Sequence, residues 1–209
     1  EDTPDDIVHD LLGKACYANH PLGYPILGTE ETLRTFTGDT LRQYMADYYT
    51  PDRVVVSVAG NVDERFIGEI ERYFGSFTAA NKPASPGKPS FVPQKLARKK
   101  DTEQAHVCIG FNGLPIGHPD AYPLLILNNI LGGSMSSRLF QEVREQRGLA
   151  YSVFSYHSAY QDSGLLAIYA GTGSGQLDIL FETIQRTLCH LKEDGITEKE
   201  LHNSKEQMK

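Results

Sequence analysis

Long apolar runs, paired cysteines and concentrated positive charge are all missing from this sequence, and each absence removes a class of function. The three cysteines, Cys16, Cys108 and Cys189, stand far apart with no CxxC spacing. Neither a disulfide framework nor a cysteine zinc site is indicated, and a reducing compartment fits best. No apolar stretch approaches the roughly 18 residues that a membrane span requires, and the first residues lack the pattern of a signal peptide. A cytoplasmic chain that does not engage a membrane is therefore expected. The formal net charge is −7, from 20 Lys and Arg against 27 Asp and Glu, spread along the chain rather than blocked. Without a broad basic surface to neutralise phosphates, nucleic acid is not an expected partner.

Chemistry-bearing motifs are scarce too. The sequence contains no HExxH, HxxEH or GxSxG and no Walker-type loop. GTGSGQ at 171–176 lacks the following Lys-Ser/Thr pair and reads as a turn into a helix. His106, His118 and His157 have no histidine partner at i+3 or i+4, so spacing makes none of them a metal ligand. Taken alone, the chain is expected to supply neither a nucleophile nor a metal site.

What is present is a core-forming composition, 40% apolar over 209 residues, enough for one large domain or two modest ones. TPDDIVHDLLGKACY reads as a helix with Thr3 as N-cap, Pro4 at its first position, and Asp5 and Asp6 in the turn where carboxylates suit the dipole. After the turn-rich HPLGYPILGT, Thr29 opens a short helix. Leu41, Tyr44, Met45 and Tyr48 then follow i, i+3, i+4, i+7 and predict a helix with one buried face. DRVVVSVAGN is a β-branched run that predicts a strand, and Phe66, Ile70 and Tyr73 restore helical spacing. Residues 76–93 hold four prolines without periodicity, the pattern of a linker.

Beyond the linker, Val107, Ile109 and Phe111 alternate as in a strand, and AYPLLILNNILGG is apolar nearly all round, as in a deeply buried helix. Ser136 and Ser137 are placed to cap the helix SRLFQEVREQR, and Gly148 to stop it. YSVFSYHSAY and GLLAIYAG form two strands joined at QDSG. A long helix follows, carrying Leu177, Leu180, Ile184, Leu188 and Leu191 on one face. The expected fold class is α+β, a layered helix/sheet sandwich with a mostly antiparallel or mixed sheet.

The segment GGSMSSRLFQEVREQRGLAYSV at 132–153 stands apart. It spends three arginines within ten residues and reverses at Gly148, which can bring Arg144 and Tyr151 to one edge of the sheet. A guanidinium beside a phenol is a pair of donors suited to a peptide carbonyl or a developing oxyanion. The structural alternative is that Arg144 pairs with a carboxylate and Tyr151 tops a core.

LGGSMSSRLFQEVREQRGLAYSV resembles the second-domain signature of the insulinase/pitrilysin family of zinc metallopeptidases, in the branch that includes mitochondrial processing peptidase and its bacterial relatives. HPLGYPILGTEETL and YTPDRVVVSVAGNVD resemble the matching stretch of the first domain, and the likeness covers essentially all 209 residues. The resemblance implies a first, zinc-type domain ending within 1–75, an interdomain linker at 76–93, and the start of a second domain at 94–209. It implies that HxxEH and the distal zinc-binding glutamate lie upstream, the glutamate a few residues before Glu1, so both ends are expected to be cut. Glu1 itself is out of register. Zinc is thus the parent protein's cofactor, with no metal ligand in this chain. What the resemblance carries over is Arg144 and Tyr151, which would reach the substrate carbonyl across a closed chamber. It also implies a peptide substrate and a second copy or sister subunit as partner. A non-catalytic sister subunit or a structural protein of the same fold are the competing readings.

Overall fold

The computed structural model describes residues 3–76 and 86–209; of the expected linker, residues 77–85 lie outside the described residues. The chain divides into two compact units, one made of Glu1–Pro25 with Lys88–Lys209 and the other of Ile26–Gly87. The first helix packs within the larger unit.

In that unit, strands β1 (Ala105–Asn112), β2 (Ala150–Ala159) and β3 (Gly164–Thr172) form an antiparallel sheet in the order β1-β3-β2. Period-2 alternation gives the sheet two apolar faces. On one, Val153, Ile168 and Ala170 meet Leu139, Val143, Leu180 and Ile184, with Ile109 and Phe111 packed alongside. On the other, Leu165 and Ala167 meet Leu12, Cys16 and Tyr17 of helix α1 (Pro4–Tyr17). The α+β, helix-on-sheet layering is as expected, with every described strand pairing antiparallel. Pro4 starts α1 with Asp5 and Asp6 in its first turn, although the Thr3 hydroxyl donates to Asp6 Oδ2 rather than capping the helix.

The smaller unit contains helices α2 (Glu30–Arg34), α3 (Gly38–Tyr48) and α4 (Glu64–Phe74), of which α2 and α3 open with reciprocal threonine capping boxes. Its core is absent from the described residues of these helices: none of the three buries a side chain. The expected buried face of α3 is instead exposed at Leu41, Tyr44, Met45 and Tyr48. The expected strand at DRVVVSVAGN is also corrected. Pro51–Arg53 forms a single 3-10 turn, and residues 54–59 join no sheet among the described residues, Val55 being 92% exposed. A β-branched run fits a pleated surface but becomes a strand only when another strand accepts its hydrogen bonds.

Exposed apolar faces of this extent are association surfaces. The isolated chain is therefore expected to self-associate, with a sedimentation coefficient that rises with concentration. A single monomer species over a wide concentration range would contradict this.

The rest of the larger unit comprises α5 (Ala121–Asn128), two wider-wound π-type turns at Asn129–Gly133 and Phe140–Glu145, and helices α6 (Leu177–Asp194) and α7 (Glu198–Gln207). The segment expected as a deeply buried helix is buried only toward its end, at Ile130, Leu131 and Gly132, while α5 itself buries no residue fully. Gly132 lies where an added Cβ would come within 2.5 Å of the Ser155 amide nitrogen on β2, so only glycine lets the chain pass this close to the sheet.

Candidate functional site

Arg144 and Tyr151 are brought together by three local features. Residues Phe140–Glu145 wind as a π-type turn, which sets Phe140 and Arg144 about one turn apart on the same side. Gly148 then takes φ +58°, a left-handed conformation that a glycine adopts at little cost, and its amide donates back to the Arg144 carbonyl at 3.0 Å. The expected glycine stop is present. The start of the helix differs: Ser137 is buried, but its hydroxyl has no hydrogen-bond partner and so does not cap.

The joint is fixed from below. Leu149 and Ala150 are buried, and the Thr172 hydroxyl donates to the Leu149 carbonyl at 2.6 Å. The β2–β3 register then slips between Ala150, opposite Thr172, and Ser152, opposite Gly171. Tyr151 is the extra residue of this irregularity, and such a bulge re-aims a side chain away from the pleat. Tyr151 is accordingly 77% exposed, between buried Ala150 and half-buried Ser152.

The Arg144 guanidinium carbon lies 4.7 Å from the centre of the Tyr151 ring and 4.8 Å from that of Phe140. Two aromatic contacts of this kind are each worth roughly 0.5–2 kcal/mol. The nearest carboxylate is Glu145, at 3.7 Å from Nε, too long for a strong hydrogen bond. Tyr151 tops no core of the larger unit, and Glu145 is the carboxylate beside Arg144. Sequence reasoning missed Phe140 and the bulge. Phe140 was findable as the aromatic four residues before Arg144; the bulge leaves no such mark.

Arg138 holds the start of this helix against α7. Its Nε and Nη2 donate to the two oxygens of Glu200 at 2.7 and 2.9 Å, and Nη2 also reaches the Gly195 carbonyl at 2.7 Å. Glu200 closes a capping box with Thr197. Chiefly through the Arg138 hydrogen bond, the Glu200 carboxyl is held down at about 2, below the ordinary value of 4.5. A carboxylate with a depressed folded-state pKa contributes stability above its unfolded pKa and loses it as pH falls through the folded one. Glu200→Gln should therefore lower Tm at pH 5–7, with the difference from wild type shrinking between about pH 4.5 and 2. A Tm gap that does not change with pH would contradict it.

Among the described residues, the other titratable groups with close partners are mainly histidines. His9 Nδ1 lies 2.7 Å from the Tyr156 hydroxyl and 3.6 Å from Cys108 Sγ. Burial pushes the Cys108 thiol up to about 12 and the His9 imidazole down, so neither a thiolate nor an imidazolium is favoured here. His106 Nδ1 is 2.9 Å from the Tyr169 hydroxyl, His157 Nε2 accepts from the Leu114 amide, and His118 Nδ1 accepts from the Asp120 amide. Among the described residues no three His, Cys, Asp or Glu side chains converge as metal ligands do. The described residues therefore do not fit a zinc site.

The sequence compares closely with known proteins. It is 68% identical over 209 residues to "Uncharacterized zinc protease YmxG" of Bacillus subtilis, covering all of this chain and 51% of that protein. It is 38% identical to "Uncharacterized zinc protease SCO5738" of Streptomyces coelicolor, covering 96% of this chain and 46% of that one. The chain thus spans about half the length of these curated relatives. Among solved structures, the peptidase M16 inactive domain from Pseudomonas fluorescens superposes with TM-score 0.86 at 24% identity, over 99% of this chain and 51% of that one. A protease from Helicobacter pylori superposes with TM-score 0.83 at 23% identity, over 97% and 51%. Both likenesses speak to the fold. The family model described as "Peptidase M16 inactive domain" matches residues 35–208, and with that match and these relatives the chain belongs to the M16 peptidase family.

Proposed function

We propose that this chain is the substrate-orienting portion of a zinc-dependent metalloendopeptidase, presenting Arg144 and Tyr151 to the carbonyl of a peptide at the bond to be cut. The observation that carries the reading is the exposed phenol at a bulge, with a guanidinium in contact with both its ring and that of Phe140. The naming of relatives as zinc proteases supports a peptidase parent. The absence of a ligand cluster among the described residues is consistent with the zinc being held by the remainder of the parent. Bound there, zinc would supply Lewis-acid polarisation and an activated water.

The chemistry of this chain's own residues is simpler. The Tyr151 hydroxyl donates to the carbonyl oxygen as negative charge develops on it, and the Arg144 rim binds the neighbouring backbone oxygen. The substrate is a peptide or an unfolded precursor segment, enclosed in a chamber completed by a second copy or a sister subunit in the cytoplasm, as in a processing peptidase. Within the parent, 1–75 closes the zinc-type domain, 76–93 is the linker and 94–209 begins the Arg/Tyr-bearing domain.

Steady-state cleavage of an unstructured peptide by the parent, with zinc content and Tm as controls, tests this. Wild-type turnover in Tyr151→Phe and Arg144→Ala, with zinc and Tm unchanged, would reject it.

A further inference from the structure

The three arginines of the segment 138–147 are held in two different ways. Arg138 is bonded to Glu200 through Nε and Nη2 at 2.7 and 2.9 Å. Arg147 is bonded to Glu142, its Nη1 donating to Oε2 at 2.6 Å and to the carbonyl at 2.9 Å. Arg144 differs from both. Among the described residues its guanidinium donates no hydrogen bond, Glu145 lying 3.7 Å from Nε, and Glu142 on the same turn is already taken by Arg147. The place of the Arg144 guanidinium is therefore set chiefly by two rings, Phe140 at 4.8 Å and Tyr151 at 4.7 Å.

These rings are not equivalent. Tyr151 is 77% exposed at the register slip of β2, and in the proposed function its hydroxyl is engaged by substrate. Phe140 is half-buried, follows the fully buried Leu139, and shares its turn with the fully buried Val143. Its backbone is thus anchored in the core, and its ring is the fixed one of the two.

We infer that Phe140 is a positioning residue, whose ring holds the Arg144 guanidinium beside Tyr151 and away from Glu145, so that the Arg144 donors stay available to substrate backbone. The inference rests on the reading of Arg144 and Tyr151 as the substrate-orienting pair. Leucine at 140 keeps an apolar side chain beside the core but removes the ring's attraction for a cation. The guanidinium is then free to close on Glu145, in a charge-assisted bond that occupies its donors. Substrate must also order a looser arginine side chain on binding, at an entropic cost.

Steady-state cleavage of an unstructured peptide by the full-length parent tests this, with zinc content and Tm as controls. Phe140→Leu is expected to lower kcat/KM by about 3–30-fold, raising KM as well as lowering kcat, as Arg144→Ala does and Tyr151→Phe does not. Phe140→Tyr, which keeps a ring, should retain most of the wild-type kcat/KM. In an Arg144→Ala background, Phe140→Leu should cost less than about twofold, because it acts through the arginine. A second measurement needs no variant: nitrogen relaxation at Arg144 Nε in the wild-type parent. That Nε is expected to be as ordered as that of Arg138, and more ordered than that of Arg186, which is exposed.

Wild-type kcat and KM in Phe140→Leu overturn the inference. So does a loss as large in Arg144→Ala as in the wild type, a Phe140→Tyr loss equal to that of leucine, or an Arg144 Nε as mobile as that of Arg186. Impaired Arg144→Ala and Tyr151→Phe beside an unimpaired Phe140→Leu remove this inference alone. Wild-type rates in all three remove the substrate-orienting reading, and the positioning role with it.

Discussion

In the full-length parent, Tyr151→Phe is expected to lower kcat by about 10²–10³-fold, the loss of one oxyanion donor, with KM nearly unchanged. The substitution deletes one hydroxyl and keeps the ring. That ring is 4.7 Å from the Arg144 guanidinium, so the aromatic contact that holds Arg144 survives. A 77%-exposed side chain at a bulge contributes little to the core, and Tm should stay at the wild-type value. A donor that matters only as charge develops lowers kcat and kcat/KM together. An unchanged kcat would make the tyrosine a stacking partner and nothing more.

Arg144→Ala is expected to weaken both terms. Its rim donors can hold substrate backbone in the ground state as well as in the transition state, so KM should rise while kcat falls, each by roughly tenfold or more. Arg144→Lys should recover only part of the loss. Lysine keeps the charge but lacks the planar group that contacts Phe140 and Tyr151 and has no fork of donors. Full rescue by lysine would mean that net charge, not geometry, is what the site uses. Steady-state kinetics on one unstructured peptide across the wild type and the three variants resolves all of these outcomes.

Much of this site is legible in the sequence because its determinants are local. Gly148 as a stop, the strand that follows it, the hairpin at QDSG and the amphipathic α6 all follow from spacing and turn chemistry within a few residues. The features that aim the pair are not local. The bulge at Tyr151 exists because β2 and β3 slip by one residue against each other, and neither strand alone encodes that. The π-type winding at Phe140–Glu145 is set by packing against β2 and α6, not by propensity.

The same distinction governs the fold. Helix α1 is plain from its proline, acids and apolar face, yet its packing partners Leu165 and Ala167 lie some 150 positions away, and the sequence reading grouped α1 with the residues that follow it. DRVVVSVAGN has the composition of a strand, but composition cannot supply the partner that residues 54–59 lack here. The i, i+3, i+4, i+7 pattern of α3 marks a face made to be covered without saying what covers it.

The proposed function is a division of labour, in which this chain would orient substrate and the metal would be held elsewhere in the parent. Zinc per polypeptide after dialysis, measured together with chelator-sensitive peptide cleavage on this chain alone and on the parent, tests it most directly. The account predicts no retained zinc and no cleavage for the chain, against one zinc and chelator-sensitive cleavage for the parent. Stoichiometric zinc on this chain, accompanied by cleavage that a chelator abolishes, would contradict it.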